Sequence, residues 1–238
     1  YPLRRQRQMC IRDSSNCDRR WLRHFGALGA PTLHRVSCSG RTGPTFQPGM
    51  TTSVLPPWRP LIKAAQRREG RSPSARWLQL ATVGQNGQPR VRTLVFRAWT
   101  DAHQLELFTD TRSQKIKDLH HQPAVELCWL FTKAREQYRF GGVANVIKSD
   151  NNRELCLQKW LSLSPSGRSV WGWPSPGEML NRDAAFPEAL SDNEPMPDHF
   201  SVLRLEIDHV ERLHLGPHPH HRTRWQRNQN WRTEELNP

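Results

Sequence analysis

The segment ARWLQLATVGQNGQPRVRTLVFRAW, residues 75–99, constrains the fold most. In its first half Trp77, Gln79, Ala81 and Val83 oppose Leu78, Leu80 and Thr82. A period of two places successive side chains on opposite faces of a strand. GQNGQP then reads as a turn, and a second alternating run follows, so the spacing is that of a β-hairpin. Arg90, Arg92, Leu94 and Phe96 share one face of the second strand, and Arg97 falls on the other unless a bulge resets the register. A strand bound for a core pays heavily for unpaired charge. Either these arginines are exposed on an edge strand, or they seat a bound anion.

The rest of the chain from Met50 extends the β pattern. PWRPLIKAAQRREG opens on prolines, spaces Leu61, Ile62 and Ala65 for one helix face and ends on Gly70. LELFTDT is a short strand, and RSQKIKDLHHQ a helix closed by Pro123. AVELCWLF and EQYRFGGVANVI form a strand pair, with a bulge or bend at Gly141-Gly142. NNRELCLQKWLSLS is a helix with an asparagine N-cap that stops before Pro165. Residues 171–198 read as a long loop with one helical turn near 183–190. FSVLRLEIDHVERLHLG alternates strictly, and RTRWQRNQNWRTEELNP is a last strand or turn. Six or seven largely sequential strands with a few short helices predict an α+β fold built on an antiparallel β-barrel.

Residues 1–49 stand apart. RRQRQMCIRDS at 4–14 matches the frame translation of a transposon-type sequencing adapter, and 15–49 show little periodicity. The expectation is a disordered, non-native leader at 1–49, with Met50 a plausible start and one domain over 50–238. The net charge of +13 then halves: nine arginines face only Asp13 and Asp18 in the leader, which leaves +6 for the domain. A pI near 10.5 therefore argues less for nucleic acid than it would on a single basic domain. Cys128 and Cys156 lie in apolar surroundings without CxxC spacing, as reduced thiols of a cytoplasmic protein do. No apolar run reaches eighteen residues, so neither a membrane span nor a membrane partner is expected.

LFTDTRSQKIKDL sets a Thr/Asp/Ser-rich turn between a strand and a helix. Unpaired N–H groups and the positive dipole end at a helix start attract phosphate. Thr109, Thr111 and Ser113 add hydroxyls, and Arg112 and Lys115 add charge. An ordinary N-cap with a solvated basic turn explains this turn alone. Two phosphate-competent pieces on consecutive strands of one sheet favour a phosphate site.

In their order these residues resemble a family. ARWLQLATV, PRVRTLVFR, LELFTDTRSQKI, AVELCWLF and REQYRFGG together are similar to the pyridoxamine 5′-phosphate oxidase superfamily of FMN-binding split β-barrels. PWR and WGWPSPG point to the Alr4036-type branch, and the likeness spans about 55–238. It implies an antiparallel FMN-binding split barrel with short flanking helices, FMN as cofactor, and a cytoplasmic homodimer with flavin at the subunit interface.

The resemblance also implies residues. The family's Arg-x-x-Leu/Val-x-Lys contact with FMN falls on Arg92, Thr93, Leu94, Val95 and Arg97, with arginine replacing the final lysine. Phe108 and Thr109 match the aromatic-Thr pair. Ser113, Gln114 and Lys115 match Ser-Arg-Lys, with Arg112 a candidate for the lost arginine. Gln137 would reach the flavin ring, and HPHHR supplies His220 and the flavin-contacting Arg222. The family's C-terminal flavin tryptophan falls on Leu213 and a pyridoxal phosphate arginine on His218. The substrate-phosphate clamp Tyr-x-x-x-Arg-x-x-x-Ser has no clean counterpart, with Lys159, Ser166 and Arg168 as substitutes. Arg97, His218, His220 and Arg168 are thus the implied substrate residues, and His220, which would orient the substrate, the implied catalytic one.

The implied reaction is oxidation of pyridoxamine or pyridoxine 5′-phosphate by dioxygen, with the flavin carrying the redox chemistry. The alternative is an FMN-binding split barrel with another substrate or no such activity, and less so a haem-handling protein. His214, His218, His220 and His221 crowd into HLGPHPHH, yet no Cys or carboxylate stands at tight spacing beside them, so no metal site is expected.

Overall fold

In the computed structural model, the described residues are 55–101 and 103–238. The leader and Met50 lie outside them. Helix α1 (Trp58–Glu69) leads, and β1 (Trp77–Val83), β2 (Pro89–Trp99) and β3 (Gln104–Asp110) follow. Next come α2 (Gln114–His121), β4 (Ala124–Phe131), β5 (Glu136–Lys148), α3 (Arg153–Leu161) and α4 (Pro165–Arg168). The chain ends with β6 (Phe200–His214), β7 (His221–Gln226) and β8 (Thr233–Leu236).

The strands run in the order β3-β2-β1-β4-β5-β6-β7-β8, and β3 also pairs with β6. That extra ladder closes β1–β6 into a six-stranded antiparallel barrel, from which β7 and β8 continue as a flap. The expected antiparallel split-barrel architecture is present, and the tail forms two strands. The β1–β2 hairpin turns where Gly87, at φ +75°, takes a conformation that side chains disfavour.

The inward-facing set is the one that period two selects: Leu78 and Leu80 on β1, Leu105 and Leu107 on β3, Leu127, Trp129 and Phe131 on β4. Helix α1 closes one end, burying Trp58, Ile62, Ala65 and Glu69 at a spacing of one helical face. The buried Glu69 carboxylate accepts from the Lys133 N–H at 2.7 Å and the Ala134 N–H at 3.2 Å, which fixes the β4–β5 turn. The irregularity predicted at Gly141-Gly142 occurs, and so does the bulge left open at Arg97. The β2–β3 register shifts between Phe96 and Ala98, and the β5–β6 register shifts at Gly141/Gly142. A Cβ on Gly142 would stand 1.9 Å from the Glu206 carbonyl oxygen, so the close approach requires glycine.

Two expectations need correction. No helix forms at 183–190; the helical turn is a 3₁₀ segment at Ser169–Gly172, with α4 just before it. The strict alternation of β6 fails at its start, where Phe200, Ser201, Val202 and Leu203 are all buried. Leu203 faces the barrel, while Phe200 and Val202 face outward into a second apolar cluster with Cys156, Trp160 and Trp171. Helices α3 and α4 cover that stretch, so both faces of the strand are dry.

Candidate functional site

The arginine strand and the Thr/Ser turn meet at one end of the barrel. Arg92 sits opposite Leu80 on β1, at an inward position close to the barrel mouth. Its guanidinium donates to Thr82 Oγ1 at 2.6 Å and lies 3.2 Å from Asp118 Oδ2. Thr82 donates to the same carboxylate at 2.9 Å. Asp118 is fully buried on α2, between Ile116 and Leu119. Burial alone would raise its pKa; hydrogen bonds from Thr82 and Gln114 and the charges of Arg90 and Arg92 outweigh it and hold the carboxyl below its usual range.

Lys115 stands next to this network with different partners. Its ammonium donates to Thr109 Oγ1 at 3.0 Å and Ser113 Oγ at 2.7 Å, so both are hydroxyls. Burial, reinforced by the Arg92 charge and opposed by Asp110, lowers its pKa to about 8. Ser113 caps α2, and its hydroxyl donates back to the Asp110 carbonyl at 2.7 Å. Two cations, two hydroxyls and the start of α2 thus converge where Asp118 answers only Arg92. A phosphate dianion fits this arrangement, because it would give Lys115 a contacting countercharge, where Asp110 acts only through space, and would accept from the same hydroxyls.

The bulge decides the face of Arg97. Leu94 and Phe96 pack against the barrel core, and after the shift so does Trp99. Arg97 is the extra residue at that shift, and its guanidinium lies 5.1 Å from the Phe108 ring centre. Phe108 in turn meets Phe200 of the outer cluster at 5.4 Å. Thr93 pairs with Gln79 and Val95 with Trp77, and Gln114 donates to Asp118 at 3.4 Å from the exposed side of α2.

The other sequence-predicted residues gather elsewhere. Gln137, Leu213 and Arg222 form one cross-strand row on β5, β6 and β7, and with Arg139, Arg212 and Glu211 they line a cavity of about 140 Å³. Glu211 is held by Arg139 and, at 2.8 Å, by Arg222. Gln137 is three strands from Arg92 in the order β2-β1-β4-β5. The closed barrel makes that three strands either way round, so the two lie on opposite walls, with Gln137 between the buried Glu136 and Tyr138 on the outward set of β5. His218 and His220 are exposed, His220 with Nδ1 3.1 Å from the Pro217 carbonyl.

The clamp substitutes are engaged. Arg168, 3% exposed, donates to the carbonyls of Trp160, Leu161, Ser191 and Asp192 at 2.9–3.4 Å. Lys159 lies 2.7 Å from the buried Glu106, and Ser166 pairs with Ser164. Arg112 spends its fork on Asp110, so it does not replace the missing arginine at the phosphate turn. Among the described residues no group of three His, Cys, Asp or Glu side chains stands close enough to share a metal. Nor is any helix among them long and apolar enough to cross a membrane.

Sequence reasoning missed Asp118 and Thr82. Both left a signal: Thr82 is the polar member of the inward set Leu78, Leu80, Thr82, and Asp118 lies on the apolar face of α2.

Comparison with known proteins agrees with this geometry. A sequence model of the pyridoxamine 5′-phosphate oxidase FMN-binding domain matches residues 55–148, which include both halves of the phosphate cluster. A pyridoxine/pyridoxamine 5′-phosphate oxidase 2 from Arabidopsis thaliana is 34% identical over 173 residues, 70% of this chain and 86% of the relative. The chain belongs to the pyridoxamine 5′-phosphate oxidase family of FMN-binding proteins. A more distant member, the oxidase of Bordetella avium, is 28% identical over 191 residues, 76% of this chain and 86% of its own length. The crystal structure of a pyridoxamine 5′-phosphate oxidase-related, FMN-binding protein from Nostoc punctiforme superposes with a TM-score of 0.71. It shares 37% identity, covering 78% of this chain and all of that one. Family membership supports FMN as the cofactor class, and residues 55–148 include both Arg92 and Lys115.

Proposed function

We propose that this chain is an FMN-dependent oxidoreductase that oxidises a substrate of the pyridoxamine 5′-phosphate class with dioxygen. The observation that carries the cofactor assignment is the half-buried Lys115, held by two hydroxyls next to Arg92. Arg92, Ser113 and Lys115 would hold the FMN phosphate, and Thr109 would neighbour it on β3. Bound flavin would supply hydride acceptance from the substrate and return of electrons to dioxygen. The chain's own work is placement and charge: Asp118 fixes the Arg92 guanidinium, and the α2 start orients the phosphate. Arg97, Phe108 and the outward side chains of β2 would border the ring.

Gln137 and Arg222 would act from a second copy of the chain. Their distance from Arg92 within one chain supports this, and so does the surface beside them. Trp77 and Leu130 are 47% and 42% exposed on the outer wall of β1 and β4, and Leu130 pairs directly with Gln137. A homodimer would cover these side chains and bring Gln137 and Arg222 of one copy toward the phosphate cluster of the other, with His220 orienting the substrate.

The substrate has a second reading, supported by a specific observation. Arg168, Lys159 and Ser166 are each tied to other protein groups, which favours a substrate bound without a phosphate clamp on α3 and α4. One experiment addresses both parts. The purified chain should be yellow and release FMN on denaturation, and oxygen uptake with pyridoxamine 5′-phosphate should exceed that with pyridoxamine. A colourless protein that cannot be loaded with FMN defeats the whole proposal. A yellow protein with equal, or no, turnover of the two amines leaves the cofactor and defeats the phosphorylated substrate.

A further inference from the structure

Arg112 lies within the phosphate turn, beside Ser113, and its side chain is taken by Asp110 and the Trp173 carbonyl. Its backbone N–H donates to Asp110 Oδ1 at 2.8 Å, and its guanidinium makes three further bonds to that carboxylate at 2.7–3.1 Å. The same guanidinium donates to the Trp173 carbonyl at 3.2 Å, across sixty-one residues of sequence. Asp110 raises the Arg112 pKa by hydrogen bonding, against the cost of burial, and Glu178 adds to it through space. Glu178 lies five residues past Trp173, so the loop beyond Trp173 bends back over this ion pair.

Neighbouring bonds tie the same loop to the same turn. The Thr111 N–H donates to the His199 carbonyl at 2.9 Å, and His199 Nε2 lies 2.9 Å from the Trp171 carbonyl. The loop is also closed on itself: Trp173 donates to the Pro187 carbonyl at 2.9 Å and meets the Phe186 ring at 5.8 Å. Its tip is open to solvent, with Met179 96% exposed.

We propose that Arg112 is a positioning residue that hangs the Gly172–Leu190 loop on the flavin-phosphate turn, so that an anion bound at the turn steadies the loop. The proposal rests on the reading of Arg92, Ser113 and Lys115 as the phosphate site. Without an anion, Arg92 and Lys115 repel each other and the turn is held open to rearrangement. A bound phosphate removes that repulsion and fixes Asp110–Ser113, and the fork of Arg112 carries the constraint to the Trp173 carbonyl. Asp110 holds the guanidinium through Nε and Nη2, which keeps that edge of the fork on the loop side.

Trypsin offers the readout, because Arg182 is exposed near the loop tip. In the wild-type chain, saturating FMN should slow cleavage after Arg182 by about fivefold or more, as fragment masses followed over time would show. In R112Q cleavage should run at one rate with and without FMN, while the FMN Kd moves by less than about threefold. R112K is the second variant: it keeps the charge but lacks the planar fork that holds both Asp110 oxygens while reaching the Trp173 carbonyl, and it too should lose the protection. Equal FMN protection in the variants and the wild type overturns the proposal, as does wild-type cleavage indifferent to bound FMN. Failure of the underlying phosphate site looks different, because K115M would then hold FMN as tightly as the wild type.

Discussion

Two clusters in this barrel have the same inventory, two cations and one buried carboxylate, and they are wired differently. Glu106 on β3 lies between its cations, 2.7 Å from Lys159 of α3 and 3.1 Å from Arg204 of β6. Asp118 on α2 is taken by Arg92, Thr82 and Gln114, and the second cation, Lys115, rests on hydroxyls. In the first cluster the carboxylate meets both cations, with Arg204 Nε left without a hydrogen bond, and the pairing pins α3 to the sheet. The second has a half-buried lysine with no carboxylate in contact, and burial and the Arg92 charge outweigh Asp110 and lower that lysine's pKa. A carboxylate in contact with both cations marks a structural ion cluster, and a cation with no carboxylate in contact marks a place for an anionic ligand.

The largest expected effect comes from breaking the first cluster. Glu106→Gln leaves Lys159 and Arg204 facing a neutral amide on a dry strand, and unfolding should become easier by about 2–3 kcal/mol, read by denaturant or thermal melts. FMN affinity, measured on protein that remains folded, should stay within about twofold, because nothing in this cluster touches the turn.

Lys115→Met should do the reverse. Loss of one charge-assisted contact to a phosphate should weaken FMN binding by about tenfold to a hundredfold in fluorescence titrations. Unfolding of the FMN-free chain should not become easier, since a half-buried charge with no carboxylate in contact is removed. Arg92→Ala tests the seam between the two behaviours. It should weaken FMN as well, and also lower stability, because Asp118 then loses its cation while fully buried. Stable, tightly binding variants at both positions would erase the distinction drawn here.

The fold was far more legible in the sequence than the wiring of the two clusters. Strand faces follow from period two, so Leu78, Leu80, Leu105 and Leu107 could be placed inward from composition and spacing alone. The bulges at Arg97 and Gly141 could be suspected, since an arginine on the wrong face and a Gly-Gly step each break the alternation. The partners of the charged residues were not legible, because they come from distant segments. Arg112 meets Trp173 and Arg168 meets Ser191 and Asp192 only after the loop at 172–198 folds back. Arg168 could thus pass for a substrate ligand on its type and neighbourhood, while the chain uses it to hold four carbonyls. The separation of Gln137 and Arg222 from Arg92 was equally hidden, since motif order along a chain says nothing about which sheet wall a row occupies.

A gentler effect follows from pH. Lys115 in the free chain loses its proton near pH 8, against an ordinary value of 10.5, and a bound phosphate should raise it again. Binding therefore takes up a proton above about pH 8, and the FMN Kd should rise from there by at most tenfold per pH unit, levelling toward 10.5. The sign for stability is opposite. A lysine whose pKa is depressed on folding disfavours the folded chain below pH 8, and that penalty fades as pH rises toward 10.5. K115M should flatten both profiles; a Kd in the wild type that does not change between pH 7.5 and about 10 would mean that Lys115 is not the group that meets the phosphate.

The smallest effect sharpens the comparison at the distant row. Arg222 shares Glu211 with Arg139, so Arg222→Ala leaves the carboxylate paired and should cost less than about 1 kcal/mol of stability. If Arg222 reaches the flavin ring from a second copy, the variant should weaken FMN and riboflavin by the same modest factor, about threefold, because both carry the ring. Lys115→Met should weaken FMN alone, because riboflavin has no phosphate to lose. Titrating both ligands against both variants therefore separates a ring contact from a phosphate contact without any assay of turnover. If Arg222→Ala instead discriminated between FMN and riboflavin, its guanidinium would belong with Arg92 and Lys115 at the phosphate, and the two-walled arrangement of the site would have to be redrawn.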